Sequence, residues 1–125
     1  MVRYKNANKY DHQAGWFLPD DTMAHLEHPD QAAKRILKEQ LNLSVSKLSL
    51  NHIESFKGND GSWHLVFHYE AELDKIPVLN PSKDLEIAEW FALDILPPQN
   101  EVAHHGWALG IIKAITQEVK NVQTG

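Results

Sequence analysis

The residues best placed to do chemistry fall between Ala14 and Leu43. Asp20 and Asp21 follow a short apolar run, Glu27 and Arg35 come next, and Glu39 and Gln40 close the group. Positions 36, 39 and 40 stand at i, i+3 and i+4, so on a helix they share one face. Here the face carries Ile36, Glu39 and Gln40: one aliphatic side chain, one carboxylate and one neutral carbonyl. Each candidate also has a plainer role. Glu39 is four residues from Arg35 and can pair with it on the helix surface. Glu27 lies near the helix start, where the dipole stabilises a carboxylate. Asp20 and Asp21 serve as turn residues, since Asp tolerates left-handed backbone angles.

The elements that must position these residues are legible around them. Gly15-Trp16-Phe17-Leu18 is short, apolar and partly aromatic, which predicts a buried strand. Pro19-Asp20-Asp21 ends it. Pro29 suits a first helical position, because its fixed φ fits a helix and its missing N–H is not needed there. From Asp30 to Leu41 the apolar residues recur with a helical period: Ala33, Leu37 and Leu41 form one stripe, with Ala32 and Ile36 beside it.

Strand, turn, loop and helix in this order resemble the signature box of the Nudix hydrolases. That box reads Gly, five residues, Glu, seven residues, Arg-Glu, an aliphatic, any residue, Glu-Glu, any residue, Gly, an aliphatic. Glu27 takes the first glutamate, Arg35 the arginine, Leu37 the first aliphatic, Glu39 the next glutamate and Leu43 the last aliphatic, with no gap. Trp16-Phe17-Leu18-Pro19 is similar to the family's lead-in. Asp21, Ile36, Gln40 and Asn42 depart, standing for the opening glycine, two glutamates and the late glycine. The second half is similar too: an acidic strand ending in Trp90-Phe91, then Leu93-Asp94 and Leu96-Pro97.

The resemblance implies an α/β (α+β) fold, a Nudix-type α/β/α sandwich around a mixed β-sheet. It implies a hydrolase acting on a nucleoside diphosphate linked to another moiety. Water attacks phosphorus, Mg²⁺ or Mn²⁺ neutralises the oxygens, and a carboxylate activates the water. Glu39 and Glu27 become the expected catalytic residues. Glu39, Gln40, Asp20 and Asp21 become the expected metal ligands, with Glu89 as a further carboxylate, and Arg35 holds the box together. Ile36 and Gln40 weaken that metal set. The alternative is a catalytically inactive domain of the same fold that binds a nucleotide or a partner. Asn100, after Pro97-Pro98, is the candidate for a base edge, and Trp16 is the candidate among four tryptophans for stacking on a base.

The rest of the chain fits one domain over residues 1–125. Val2–Lys5 reads as the end of a strand and Asn6–Gln13 as a loop. Val45–Phe56 alternates imperfectly, with a bend expected near Asn51. Lys57-Gly58-Asn59-Asp60-Gly61 is a strong turn signal. Trp63–Leu73 is the clearest strand, with Trp63, Leu65, Phe67, Tyr69 and Ala71 on one face. Lys75–Asp84 reads as a loop, Leu85–Phe91 as a strand and Val102–Val119 as a long helix, with a frayed tail at 120–125. The late start of the first strand leaves a sheet edge that a second copy would cover, so a homodimer is expected.

Composition bounds the function further. The 42% hydrophobic and 23% charged fractions are those of an ordinary globular protein. The absence of cysteine excludes disulfides, thiolate metal sites and cysteine nucleophiles, and fits a cytoplasmic setting. A net charge of −5 argues against broad nucleic-acid or anionic-membrane binding. No apolar run has the length of a membrane span. The expected ligand is a small nucleotide derivative. Eight histidines fall mainly in pairs, His25/His28, His64/His68 and His104/His105; strand histidines are expected to be packed or hydrogen-bonded rather than liganded.

Overall fold

Pro29 opens helix α1, which runs Pro29–Leu41 in the computed structural model. The structure describes residues 1–7 and 12–124, with side chains up to 116; residues 8–11 of the expected N-terminal loop lie outside the described residues. The His28 backbone N–H donates to Gln31 Oε1 at 3.2 Å, and Asp30 adds negative charge at the positive end of the dipole. At the other end Asn42 takes the left-handed conformation, with φ 55°. Its N–H donates to the Lys38 carbonyl at 3.1 Å, and the Leu43 N–H to the Leu37 carbonyl at 3.2 Å. Asn is the usual substitute for Gly at such a stop. The replacement of the box's late glycine by Asn42 therefore leaves the helix end intact.

The chain start builds a small mixed sheet in front of this helix. Strand β1 (Val2–Tyr4) pairs antiparallel with strand β4 (Leu85–Ala88) on one side. On its other side Val2 exchanges two hydrogen bonds with Phe17, at 2.9 and 2.8 Å. Trp16 in turn bridges Val102 in parallel fashion, donating to the Glu101 carbonyl at 2.9 Å and accepting from Ala103 at 3.0 Å. Gly15 permits this approach: its φ is +112°, and a Cβ there would lie 2.7 Å from the Glu101 carbonyl oxygen. The strand expected at Gly15–Leu18 is thus reduced to two bridging residues. Val2 is thus paired on both sides, which covers part of the edge that motivated the expectation of a dimer.

Residues 47–72 form the second sheet, an antiparallel hairpin of β2 (Lys47–Lys57) and β3 (Trp63–Glu72). The expected bend at Asn51 is a register shift between Leu50 and His52. The turn closes through Gly58 N–H to the Ser62 carbonyl at 2.7 Å, with Gly61 at φ +85°. Two charged or aromatic contacts tie the hairpin to the last helix, α2 (Ala103–Thr124). The Trp107 indole N–H donates to Glu54 at 3.1 Å, and Glu54 also meets His68 Nε2 at 2.6 Å. The His68 ring lies edge-on to Trp107. His68 is therefore packed and hydrogen-bonded, as a strand histidine usually is.

Two buried groups make the core. Val2, Phe17, Leu41, Leu85 and Ala103 join the β1 sheet to the end of α1, with Leu37 and Tyr4 packed against them. Trp16, Val102 and Ala108 join the sheet to α2, covered by Leu18 and Phe91. Each large apolar side chain removed from water contributes about 1.5–3 kcal/mol. Among the described residues the result is a mixed α/β arrangement of two small antiparallel ladders and two α-helices, in keeping with the Nudix α+β fold.

Two further elements differ from the expectations. Strand β4 ends at Ala88 rather than Phe91, because Trp90 turns away to donate its indole N–H to the Pro77 carbonyl at 2.9 Å and Phe91 packs edge-on against Trp16. Helix α2 contains a left-handed step at His104, His105 and Gly106 before its regular part begins at Trp107. A Cβ on Gly106 would meet Gln99 Cγ at 2.7 Å, and Gln99 also donates to the His105 carbonyl at 2.9 Å. The short 3₁₀ helix at Gln99–Glu101 thus locks the step. The helix continues through the polar end of the chain to Thr124, and Gly125 lies outside the described residues. No described helix is long and apolar enough to cross a membrane.

Candidate functional site

Arg35 projects from the middle of α1 onto the loop that precedes it. Its Nε and Nη2 donate to Glu27 Oε2 and Oε1 at 2.8 and 3.0 Å, a bidentate pair. Nη2 also donates to the Thr22 carbonyl at 2.9 Å, and Nη1 reaches Glu39 Oε2 at 3.1 Å and Asp21 Oδ2 at 4.0 Å. Glu27 Oε1 further accepts the Ala24 N–H at 2.9 Å. These bonds hold the Glu27 carboxyl below its usual range, Arg35 first and the Ala24 N–H second. Hydrogen bonding to Glu27 holds Arg35 yet more firmly protonated. Arg35 and Glu27 thus fasten a loop that has no strand or helix of its own. One residue of that loop, Leu26, is left-handed with φ 64°, while Asp20 and Asp21 are not among the residues of positive φ. The departure from glycine at the turn is therefore met by ordinary backbone angles there, and the left-handed angle lies at Leu26 instead.

Gln40 is buried, with 7% of its surface exposed, and both ends of its amide are engaged. Nε2 donates to the Asp20 carbonyl at 2.8 Å, and Oε1 lies 2.8 Å from the Tyr4 hydroxyl. The Tyr4 oxygen accepts the Asp20 N–H at 2.9 Å. The Gln40 backbone carbonyl accepts from Ser82 at 2.8 Å. One residue therefore joins α1, β1, the Asp20 turn and the segment before β4. An amide performs this task because it offers a donor and an acceptor at once; a carboxylate offers acceptors only.

A cleft of ≈ 300 Å³ opens beside this junction. Tyr4, Asp21, Glu39 and Gln40 line one part of it, and Lys5, Asn6, Ser82, Lys83 and Asp84 the other. The pairing of β1 with β4 brings the two lysine-bearing segments together: the Lys5 N–H donates to the Asp84 carbonyl at 3.0 Å. The expected site residues therefore divide. Asp21, Glu39 and Gln40 share the cleft, and Asp20 adjoins it through Tyr4 and Gln40. Glu27 is turned to Arg35. Trp16 is buried against Phe91 with the Arg3 guanidinium 4.6 Å over its ring, and Asn100 is exposed on the 3₁₀ helix; neither lines the cleft. Glu89 lies beyond the far end of β4, with its carbonyl accepting from the Met1 amino group at 2.7 Å. Tyr4, Lys5 and Lys83 carried no signal in the sequence. Their neighbourhood comes from strand pairing across most of the chain length.

A resident divalent ion does not fit this donor set. Ile36 supplies no oxygen, the Gln40 carbonyl oxygen accepts the Tyr4 hydroxyl, and Glu39 and Asp21 face Arg35. Among the described residues no group of three or more Asp, Glu, His or Cys side chains is arranged to hold a metal. Hard ions need several charged oxygens in near-ideal geometry, and of the three carboxylates that line the cleft, Asp21, Glu39 and Asp84, the first two already lie beside the Arg35 cation.

The comparison with known proteins agrees with the fold and box. Searches of curated proteins and of solved structures return no match. The protein-family model described as the NUDIX domain matches residues 1–109, which takes in the box, both sheets and the start of α2, and the chain belongs to the Nudix family.

Proposed function

We propose that this Nudix domain binds a nucleoside diphosphate linked to another moiety and does not hydrolyse it by the divalent-ion route of its family. Membership of the family supports Nudix-type hydrolase chemistry and nucleotide-derived ligands in general. The observation that carries the finer reading is Gln40. Its amide is committed to Tyr4 and Asp20, so the helix face that holds carboxylates in the family is here part of the scaffold. With Ile36 on the same face, Glu39 is the carboxylate left, and Arg35 lies against it. The cleft offers a ligand a polar surface, with a volume at the lower end of small-molecule sites.

The preserved Glu27–Arg35–Glu39 arrangement favours a second reading, a working hydrolase that uses Glu39 as base. One experiment separates the two. The purified chain is incubated with ADP-ribose, UDP-glucose and a dinucleoside polyphosphate, each with excess Mg²⁺ or Mn²⁺. Melting temperature and product formation are followed together. A saturable rise in melting temperature without turnover supports binding. Metal-dependent turnover that Glu39→Gln abolishes overturns the proposal in favour of the hydrolase.

A further inference from the structure

The β2–β3 hairpin is rich in aromatic and branched side chains and buries none of them. No residue of either strand is buried, and Leu50, Ile53, Phe56, Trp63 and Leu65 are each at least 40% exposed. Directly opposed residues of an antiparallel ladder share a face. The pairs Ser55–Leu65, Ile53–Phe67 and Leu50–Tyr69 therefore gather the apolar residues on one side, with Trp63 beyond Leu65. Glu54 and His68 lie on the other side, where Trp107 of α2 meets them. Neither outer edge of the hairpin joins another ladder among the described residues. A two-stranded ribbon is marginal alone, and an unpaired edge offers its N–H and C=O groups to another strand.

The two edges differ. Strand β2 has the features that blunt an edge. Asn51 is an extra residue between Leu50 and His52, and Lys47 and Lys57 stand at the two ends. Strand β3, WHLVFHYEAE, has no lysine, proline, glycine or extra residue. Laid antiparallel on a copy of itself about Phe67, it is self-complementary. Leu65 then meets the second copy's Tyr69, Trp63 its Ala71, and His64 its Glu70. The apolar side continues across the junction, as the two-residue period of a strand requires. A slip of one residue opposes Trp63 to Glu70 or Glu72, and a slip of two in either direction opposes histidine to histidine. Glu70 holds Asn51 through Oε2 and His64 meets Ser62 through Nε2, which leaves Glu70 Oε1 and His64 Nδ1 for the contact.

We infer that a second copy of this chain pairs with the outer edge of β3, joining two hairpins into one four-stranded antiparallel sheet across a two-fold axis at Phe67. The occupant is a second copy because the strand's own sequence supplies both halves of the match, apolar against apolar and histidine against glutamate. A two-fold interface makes each such contact twice. No hairpin residue lines the cleft beside Gln40, so the interface stands apart from the proposed function.

The test is the oligomeric state of the whole chain by sedimentation equilibrium over a wide range of concentration. The unaltered chain should pass from monomer to dimer. Leu65→Lys should weaken association about tenfold, through two symmetry-related cross-strand pairs. His64→Glu opposes two carboxylates and Glu70→Lys removes the match, so each should weaken association too. The two together exchange the partners and should restore it, which damage to folding would not produce. Ser49→Lys, at an exposed position on β2, should associate as the parent does. Amide hydrogen exchange on the unaltered chain is a check that needs no variant: β3 amides that do not face β2 should become more protected as concentration rises. A parent that stays monomeric throughout, a dimer that Leu65→Lys leaves intact, or charge variants that the exchange does not rescue would each overturn the interface.

Discussion

Gln40→Glu restores the residue that the Nudix box carries at this position, and it should nonetheless destabilise the protein. In the parent the amide nitrogen donates to the Asp20 carbonyl at 2.8 Å. A carboxylate at this site sets two acceptors against each other at that distance. The Asp20 carbonyl then keeps only the Tyr4 hydroxyl at 3.1 Å, whose single proton the new carboxylate also attracts, and the change costs about 1–3 kcal/mol. For a chain of this size that is a fall of roughly 3–15 °C in melting temperature. The pH dependence identifies the cause. Burial and the facing carbonyl raise the introduced carboxyl's pKa in the folded state above its unfolded value of about 4.3. A group raised in this way is penalised at neutral pH, where it is charged. The penalty fades as pH falls through the folded pKa, because the protonated acid regains a donor toward Asp20. Thermal denaturation from about pH 7 down to about pH 4.5 should therefore show the gap between variant and parent closing. An unchanged melting temperature at neutral pH, or a gap that widens in acid, would refute the account of Gln40 as a staple. Adding Ile36→Glu extends the test. The double variant should be least stable in chelator, from like charges on one face. A steep recovery with Mg²⁺ would mean that the face can still meet a metal.

Arg35→Ala should lower the melting temperature more than Glu39→Ala, since Arg35 binds Glu27, Thr22 and Glu39 while Glu39 meets only the outer guanidinium nitrogen; equal values from differential scanning calorimetry would contradict this. Arg35 lowers the Glu27 pKa below its ordinary 4.5, so that contribution is present above 4.5 and lost as pH falls through the lower folded value, and Glu27→Gln should match the parent only in strong acid. Leu26→Gly should be neutral or stabilising, because the exposed left-handed Leu26 forgoes about 1–2 kcal/mol that glycine does not; a clear loss of stability in urea titration would show that the Leu26 side chain has a role of its own.

Local signals in this chain account for part of its local structure. Pro29, the spacing of Ala33, Leu37 and Leu41, and the glycines around Asn59-Asp60 each act through backbone geometry within a few residues, so α1 and the β2–β3 turn are readable in sequence. The box spacing of Glu27, Arg35 and Glu39 is likewise a property of one loop and one helix, and the structure joins those three residues directly. What sequence does not contain is which distant segments meet. The closing of β1 between Phe17 and β4, the meeting of Tyr4 with Gln40, and the convergence of Lys5 and Lys83 on one cleft all depend on pairing between segments far apart in the chain. The same holds for Trp16, an aromatic residue by type, whose burial under Arg3 and Phe91 follows from where Val102 lies. A helix period fixes a face, whereas only tertiary packing determines what that face meets, and at Gln40 it meets a backbone carbonyl and a tyrosine.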